Sequence, residues 1–301
     1  MHCTKALRYI KARRYIPTKG QNNMLSTSDP CQTAERSIHK KYRTTIWRPF
    51  VEGIKRYELI NEGDNIAVCI SGGKDSMLLA KLMQALHKYS DFPFGLKFIV
   101  MDPGYNEINR QRVISNAARL NIPIEIFESN IFEVVTETDR SPCYLCARMR
   151  RGFLYAHAQK LGCNKIALGH HFSDVIETTL LGMLYGAQIQ TMMPKVKSKN
   201  FPGLQLVRPM YQVHEDAINA WCRYNELEFI QCACPLSESC NVFDASGGAS
   251  KRQEVKMLVR TLKKDNPNVE WSIFKSLHRV NLDTIIGYKK DGEEISFLDS
   301  F

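Results

Sequence analysis

The stretch Ile66-Ala-Val-Cys-Ile-Ser-Gly-Gly-Lys-Asp-Ser-Met77 decides the fold expected of this chain. Its first five residues, 66–70, are mostly apolar and predict a short buried strand. Positions 71–76 hold Ser, Gly, Lys and Asp, and the apolar run at 77–83 predicts a helix. A strand, a glycine-containing loop and a helix direct successive backbone N–H groups and a helix N-terminus onto one anion. The stretch therefore predicts an anion-binding loop.

The order of residues within the loop narrows the kind of anion. It is not a Walker A loop, which places four residues between its first glycine and Gly-Lys. It reads S-G-G-x-D-S and resembles the PP-loop of the ATP pyrophosphatases, which cleave ATP between the α and β phosphates. The resemblance implies that ATP is held by Ser71, Gly72, Gly73, Lys74, Asp75 and Ser76. The alternative is an ordinary strand–helix turn rich in Gly and Ser.

The chain beyond the loop alternates between predicted strands and predicted helices. Further strands are predicted at 96–100, 122–127 and 165–168, and helices at 106–120, 146–161 and 173–185. This alternation predicts an α/β fold, in which a parallel sheet carries helices on both faces.

Ligands of such sheets bind at the carboxyl ends of the strands. Asp102 follows the second predicted strand, and Gly169-His170-His171 follows the fourth. We therefore expect Asp102, Gly169, His170 and Asp174 to join the loop in one site for ATP and Mg²⁺. Adjacent residues point apart in regular structure, so only one of the two histidines is expected to face the site.

The charge of the chain is concentrated near its N-terminus. The 301 residues carry a formal net charge of +10, and residues 1–60 hold thirteen Lys and Arg against four Asp and Glu. No apolar run approaches the ~18 residues of a transmembrane helix. A basic extension beside a near-neutral body favours a polyanionic partner, with a solvated tail as the alternative.

Four segments are expected along the chain. They are a basic, flexible extension at 1–36, a basic helical segment at 37–62, an ATP-binding domain at 63–212 and a C-terminal part with basic helices at 213–301. In the second segment, apolar residues at every fourth position from Ile38 to Ile54 predict a buried helix face. Pro49 interrupts this pattern and is expected to kink or divide the helix.

The ten cysteines include two groups that suggest metal ligands. Cys143 and Cys146 begin a predicted helix, whose N-terminus favours their thiolate forms. The second group comprises Cys232, Cys234 and Cys240. Two cysteines from each group would suit a zinc ion. Two from the first group and one from the second would leave one iron of an iron–sulfur cluster with an open coordination position. A redox-active dithiol is a further alternative. Cys69 is expected to be a packed thiol, and the uneven spacing favours a reducing cytoplasm over disulfides.

Three motifs together resemble the tRNA 2-thiocytidine synthetase family, TtcA. They are the loop at 71–76, Pro142-Cys-x-x-Cys146 with its downstream arginines, and Leu168-Gly-His-His-x-x-Asp174, and the likeness runs from about Ser37 to Leu262. The family implies a [4Fe-4S] cluster on three cysteines and thiolation of an anticodon-loop cytidine, at position 32 of tRNA. By position, Cys143 and Cys146 match the first two ligands and Cys232 matches the third.

The resemblance implies an exchange of oxygen for sulfur in two steps. The C2 oxygen of a flipped cytosine attacks the α phosphate of ATP, while Lys74 offsets charge on the phosphates and Mg²⁺ lies near Asp75 or Asp174. Sulfur on the cluster then replaces the adenylated oxygen, and AMP departs. The implied catalytic residues are Lys74, Asp75, Cys143, Cys146 and Cys232. The residues assigned to tRNA phosphates, each with a solvated surface position as its alternative, are Arg148, Arg150, Arg151, Lys40, Lys41 and Arg43.

Two positions depart from the family pattern. Cys232-Ala-Cys234 replaces Cys-x-x-Cys, so Cys234 is a rival third ligand. Ser173 stands where a carboxylate is usual, which leaves Asp174 alone there. The alternatives are another PP-loop tRNA modifier, such as a uridine 2-thiolase or lysidine synthetase, and a zinc-stabilised RNA-binding protein that holds ATP without chemistry. The expected partners are tRNA and a cysteine desulfurase or other sulfide donor; a homodimer is a candidate assembly, and no membrane is expected.

Overall fold

The strand that precedes the glycine loop lies in the middle of a six-stranded sheet. The computed structural model describes residues 30–129, 131, 142–230 and 250–300, with the backbone alone described at 142–147 and 300. The expectations for residues 1–29 and for Cys232, Cys234 and Cys240 lie outside these ranges.

The described helices match the predicted alternation. They are α1 (Pro30–His39), a π-helix (Arg43–Trp47), α2 (Arg48–Arg56), α3 (Lys74–Tyr89), α4 (Glu107–Arg119), α5 (Pro142–Lys160), α6 (Phe172–Gly186), α7 (Glu215–Tyr224), α8 (Lys251–Asp265) and α9 (Val269–Ser276). The strands are β1 (Asn65–Ile70), β2 (Gly95–Asp102), β3 (Ile124–Glu128), β4 (Lys165–Ala167), β5 (Lys195–Lys197), β6 (Gln205–Val207), β7 (Gly287–Lys290) and β8 (Glu293–Ser296).

The sheet has the order β3-β2-β1-β4-β6-β5. The neighbours from β3 to β6 pair in parallel, and only β5 pairs antiparallel, at one edge of the sheet. The predicted α/β fold with a mainly parallel sheet is therefore confirmed. Strand β5 was missed because its three residues, Lys-Val-Lys, are all exposed and give no apolar signal.

Helices cover both faces of this sheet. Along β1, Ile66, Val68 and Ile70 pack into one core with helices α1, α2, α3 and α7. Ala67 and Cys69 point the other way, into a second core that includes Ala158 of α5. This alternation explains why β1 reads as a continuous apolar run: a central strand buried on both faces has no polar side.

The N-terminal segment places its predicted apolar face in the core. The apolar positions spaced by four are all buried, namely Ile38, Tyr42, Ile46, Phe50 and Ile54. A spacing of four drifts around a regular α-helix, which has 3.6 residues per turn. The wider π-helical turn at 43–47, with the Trp47 N–H bonded to the Tyr42 carbonyl, offsets that drift. Pro49 lies in the first turn of α2, where it is tolerated, and the backbone stays helical from the π-helix into α2, so the predicted division does not fall at Pro49.

The described residues form two compact units. The first comprises the residues up to 174 together with 192–250, and it contains the whole six-stranded sheet. The second comprises 175–191 and 251–301. Besides the predicted helices α8 and α9, it contains the β7-β8 hairpin, which the sequence had not indicated. Among the described helices, none is both long enough and apolar enough to cross a membrane.

Candidate active site

The glycine loop is closed by the hydroxyl of Ser76. Ser76 Oγ accepts a hydrogen bond from the Ser71 N–H at 3.1 Å and donates one to the Gly73 carbonyl at 2.9 Å. Gly73 precedes α3 in an extended conformation and supplies no side-chain cap. The first-turn N–H groups of α3 are therefore left without a capping side chain, which is the arrangement that suits a bound phosphate.

Two glycines allow other chain segments to approach the loop closely. Gly72 has φ +82°, and a Cβ there would lie 2.8 Å from both Ile230 Cδ1 and Val113 Cγ2. A Cβ on Gly169 would lie 3.0 Å from the Asp75 carbonyl carbon and the Ser76 nitrogen. Gly169, which follows β4, thus lets that strand end against the start of α3. The sequence predicted Gly169 at the site, and the structure places it beside the loop.

Lys74 lies between two carboxylates. Its Nζ is 3.0 Å from Asp75 Oδ1 and 3.3 Å from Oε1 of Glu215, the first residue of α7. Burial by itself lowers the pKa of Lys74, but the two carboxylates outweigh burial, and the pKa is raised. Lys74 is therefore held as a cation beside the loop. Glu215 was absent from the predicted site, although its place after β6 follows the same strand-end rule.

His171, the second histidine of the pair, lies beside the loop. His171 is 4% exposed, and its Nε2 lies 3.8 Å from Asp75 Oδ1. Asp174 Oδ2 accepts a hydrogen bond from the His171 N–H at 2.9 Å and lies 3.4 Å from its Nδ1. The sequence predicted that one histidine faces the site and named His170. It could not show which, because the direction depends on the turn that Asp174 closes.

That turn also changes the expected start of α6. The helix begins at Phe172, one residue before the predicted start, so Ser173 lies inside its first turn. Ser173 Oγ lies 3.4 Å from the Glu215 nitrogen, whose N–H it accepts. His171 takes the N-cap position: its Nδ1 accepts the Asp174 N–H at 3.4 Å, and the Asp174 carboxylate accepts the His171 N–H in return.

Asp102 is buried at the end of β2 and builds the turn that follows. Its Oδ1 accepts the N–H groups of Gly104 and Tyr105 at 2.9 and 2.7 Å, and its Oδ2 lies 3.2 Å from Arg110 Nη1. These contacts place the Tyr105 hydroxyl 3.2 Å from the Ser71 carbonyl, to which it donates. Asp102 thus shapes the wall of the site through Tyr105.

The cysteine-bearing helix contacts this wall. Cys143 and Cys146 lie one turn apart at the start of α5, and Arg150 follows one turn later. Arg150 Nη2 lies 3.5 Å from the Tyr105 hydroxyl, which in turn bonds the Ser71 carbonyl. A chain of side chains therefore joins α5 to the glycine loop. Arg148 and Arg151, by contrast, are exposed.

The chemistry of the cysteines limits which of them suit a metal cluster. Iron binds thiolates, and burial raises the pKa of Cys69, of Cys163 and, to about 12, of Cys222. Cys143 and Cys146 differ from these buried cysteines because they lie at the start of α5, and a helix N-terminus favours thiolates. The described side chains contain no group of three or more His, Cys, Asp or Glu that could hold a metal. The side chains of Cys143 and Cys146 and the whole of Cys232 and Cys234 lie outside that search, so the predicted ligand set stays a prediction.

The segment that leads towards Cys232 is fastened to helix α4. Asn116 Nδ2 donates to the Glu228 carbonyl at 2.7 Å, and Arg119 donates to the carbonyls of Asn225 and Glu226 at 3.0 Å. Ile230 then packs where Gly72 has no side chain. The last described residue before the second cysteine group is thus in contact with the glycine loop.

The basic residues proposed for RNA are exposed near the N-terminus of the described chain. Lys40 and Lys41 are exposed between α1 and the π-helix, and Arg43 is exposed at the first position of the π-helix. Lys41 Nζ lies 3.8 Å from the centre of the Tyr224 ring. The other two have their ammonium and guanidinium groups available to solvent.

Comparison with known proteins places this site in a class. Residues 38–237 match the PP-loop domain family. The matched region contains the sheet, the loop and both cysteine groups up to Cys234, so the class predicted from the S-G-G-x-D-S loop is confirmed.

Curated relatives narrow the class further. A tRNA-cytidine(32) 2-sulfurtransferase of Geobacter sulfurreducens is 32% identical over 245 residues, covering 80% of this chain and 90% of the relative. The protein of the same name from Geotalea uraniireducens is 34% identical, covering 81% of this chain and 94% of the relative. This chain belongs to the tRNA-cytidine(32) 2-sulfurtransferase family of PP-loop proteins. The family predicted from three motifs is confirmed.

A solved structure shows the same fold at lower sequence similarity. The U34-tRNA thiolase NcsA from Methanococcus maripaludis, with its [4Fe-4S] cluster, has a TM-score of 0.60 and 21% identity, covering 81% of this chain and 80% of its own. At this identity the likeness concerns the fold.

Proposed function

We propose that this protein is an ATP-dependent enzyme that thiolates a tRNA cytidine at position 32. The observation that carries the proposal is the lysine-bearing loop, without a side-chain cap, at the start of α3 in a chain whose relatives are named tRNA-cytidine(32) 2-sulfurtransferases. The loop supplies donors for phosphate, and the relatives supply the substrate class. ATP and tRNA are thus the two substrates.

The first step activates an oxygen that is otherwise a poor leaving group. The C2 oxygen of the cytosine forms a bond to the α phosphorus of ATP, and the bond from that phosphorus to the pyrophosphate oxygen breaks. The first-turn N–H groups of α3 and Lys74 Nζ face the charge that develops on the phosphates. We assign a Mg²⁺ ion on the phosphates to Asp75, with Asp174 as the second carboxylate near it.

The second step replaces the activated oxygen by sulfur. A C–S bond forms at C2, and the C–O bond breaks with its electron pair leaving on AMP. A [4Fe-4S] cluster held by Cys143, Cys146 and Cys232, with Cys234 as the rival third ligand, supplies this sulfur when bound. The residues of α5 then serve to hold the RNA, with exposed Arg148 and Arg151 on phosphates and Arg150 at the Tyr105 wall.

The remaining assignments extend from this reaction. Lys40, Lys41 and Arg43 contact the tRNA backbone, the protein works in the cytoplasm, and a cysteine desulfurase or similar donor replenishes the sulfide. In this assignment residues 63–212 form the ATP-binding domain, and residues 213–301 supply the third cysteine ligand. A homodimer is the assembly to test by light scattering.

Mass spectrometry of tRNA nucleosides tests the proposal. A strain lacking this gene is expected to lose 2-thiocytidine and to regain it with the wild-type gene. Neither Asp75→Asn nor Cys143→Ala should restore it, whereas Cys163→Ala should, because Cys163 lies in the second core and not at the site. Loss of a thiouridine in place of 2-thiocytidine would identify a uridine thiolase, and an unchanged profile would refute tRNA thiolation.

Metal content separates the proposal from a zinc-stabilised RNA-binding protein. Protein purified without oxygen is expected to be brown, to hold about four irons and to release pyrophosphate when ATP and tRNA are both present. Colourless protein that contains zinc and releases no pyrophosphate would overturn the enzymatic assignment.

A further inference from the structure

Glu215 is a carboxylate beside the glycine loop that the proposed reaction does not yet use. It is the first residue of α7, and its side chain is 16% exposed. Its Oε1 lies 3.3 Å from Lys74 Nζ. Glu215 therefore reaches this amine from α7, whereas Asp75 reaches it from α3. The contact joins residues 141 positions apart in the sequence.

The fold fixes the position of this carboxylate. Ile218 and Trp221 of α7 are fully buried in the core that α3 shares, which anchors the helix. The Glu215 N–H bonds Ser173 Oγ, so the first residue of α7 is fixed to α6 as well. A carboxylate is favoured at a helix N-terminus because of the helix dipole, and Glu215 occupies such a position as the first residue of α7.

The two carboxylates that share Lys74 face different conditions when a nucleotide binds. Asp75 lies in the first turn of α3, where the phosphates and the Mg²⁺ assigned to it are proposed to sit, so the metal would engage its carboxylate and phosphate oxygens would compete for the same amine. Glu215 approaches from α7 and retains its contact. Without Glu215, a lysine side chain with four rotatable bonds would be held by the phosphates alone.

We propose that Glu215 is a positioning residue that holds Lys74 Nζ at the glycine loop, so that the amine meets the phosphates in the geometry of the transition state. This inference rests on the proposed function, namely that the loop binds and splits ATP. Glu215 acts through Lys74 and does not itself touch the substrate.

Steady-state kinetics of tRNA-dependent pyrophosphate release tests the role. In Glu215→Gln, kcat is expected to fall about tenfold to a hundredfold, less than for loss of a whole transition-state donor, while KM for ATP changes less than threefold. Asp216→Asn removes a charge from the same helical turn and should leave both constants unchanged. Glu215→Asp keeps the charge on a shorter side chain, so its kcat should lie between those of the wild type and Glu215→Gln.

A double-mutant cycle separates positioning from a general structural effect. Lys74→Ala is expected to be slow, and adding Glu215→Gln to it should have no further effect, because Glu215 acts only through Lys74. An equal fall in kcat from Glu215→Gln in both backgrounds would overturn the proposal. So would unchanged kcat in a Glu215→Gln protein.

Labelling of lysines gives a second readout that requires no turnover. Competitive acetylation of the holoenzyme, followed by peptide mass spectrometry, reports the reactivity of the Lys74 amine. Asp75, Glu215 and the Cys222 thiol are the titratable groups that bear on Lys74. Glu215→Gln should raise Lys74 labelling severalfold over wild type and over Asp216→Asn; equal labelling would overturn the proposal. A wild-type protein that releases no pyrophosphate would refute the proposed function and leave this labelling result to decide the role of Glu215.

Discussion

At Gly72 the chain needs a residue without a side chain for two separate reasons. Its φ of +82° strains any residue that has a Cβ, and a Cβ would also lie 2.8 Å from Ile230 and Val113. We predict that Gly72→Ala destabilises the protein by about 1–3 kcal/mol from strain, with a further ~1–3 kcal/mol from overpacking. Thermal unfolding measures the loss of stability. ATP titration should show a lower affinity, because the loop must shift to accommodate the Cβ.

Gly63 provides a matched control for this variant. It has φ +78°, but no atom lies within 4 Å of the place that a Cβ would take, so Gly63→Ala carries the strain without the overpacking. It should destabilise less than Gly72→Ala and leave ATP affinity unchanged. Equal destabilisation by the two variants would show that the close approach of Ile230 contributes nothing.

A buried ion pair gives the second prediction at this scale. Lys165 Nζ lies 2.6 Å from Asp64 Oδ2 and also donates to the Leu59 carbonyl at 2.9 Å, and both side chains are almost wholly buried. Lys165→Met should cost about 3–5 kcal/mol in urea unfolding, because it leaves Asp64 charged and buried without its partner. Adding Asp64→Asn should recover part of that stability. A double variant less stable than Lys165→Met alone would contradict this explanation.

Individual site residues were predictable where they belong to one contiguous motif or directly follow a predicted strand. The loop at 71–76 was recognisable because strand, glycines and helix are contiguous. Glu215 and Tyr105 were not, because they reach the loop only after α7 and the turn at Asp102 have folded. Which histidine of the pair lies near Asp75 was not predictable for the same reason, since the bond from the His171 N–H to Asp174 sets the direction of that residue.

At the scale of elements, spacing predicted burial better than it predicted geometry. The four-residue spacing from Ile38 to Ile54 identified a buried face correctly. It did not reveal the π-helical turn at Arg43–Trp47, because residues four apart lie on roughly one side of an α-helix and of a π-helix alike. The edge strand Lys195–Lys197 carried no apolar pattern, and only its pairing with β6 defines it.

Helix α4 provides a prediction about the segment before the second cysteine group. Asn116→Ala removes the donor to the Glu228 carbonyl, so residues 225–230 should be held less firmly against α4. Hydrogen exchange in a peptide covering this segment should become faster. The protein should also retain less iron after desalting, because the proposed third ligand follows the segment.

Gln111→Ala is the control on the same helix. Gln111 Nε2 donates to Glu107 Oε1 within α4 and has no bond to the segment among the described residues. Exchange at 225–230 and iron retention should match the wild type. If Asn116→Ala changes neither measurement, the attachment to α4 does not position the third ligand.

At the scale of the whole molecule, charge is the property that bears on tRNA. Of the net charge of +10, a balance of +9 lies within residues 1–60, and the exposed Lys40, Lys41 and Arg43 are the described members of that group which we assign to RNA. Each phosphate contact releases counterions, so its contribution to affinity depends on salt. If these residues only keep the protein soluble, replacing one of them would not change the salt dependence of tRNA affinity.

The salt dependence of tRNA binding distinguishes these two roles. The double variant Lys40→Ala/Arg43→Ala should bind tRNA more weakly, and the slope of log Kd against log salt should fall by about one for each phosphate that the variant no longer neutralises. Turnover at saturating tRNA should be unchanged, because neither residue takes part in the proposed reaction at the loop. Arg48→Ala serves as the matched control: Arg48 is exposed on the adjacent helix, but its Nε already pairs with Glu52 Oε1 at 2.7 Å, so the slope should stay at the wild-type value. A double variant with an unchanged slope would assign these basic residues to solubility and leave tRNA binding to α5.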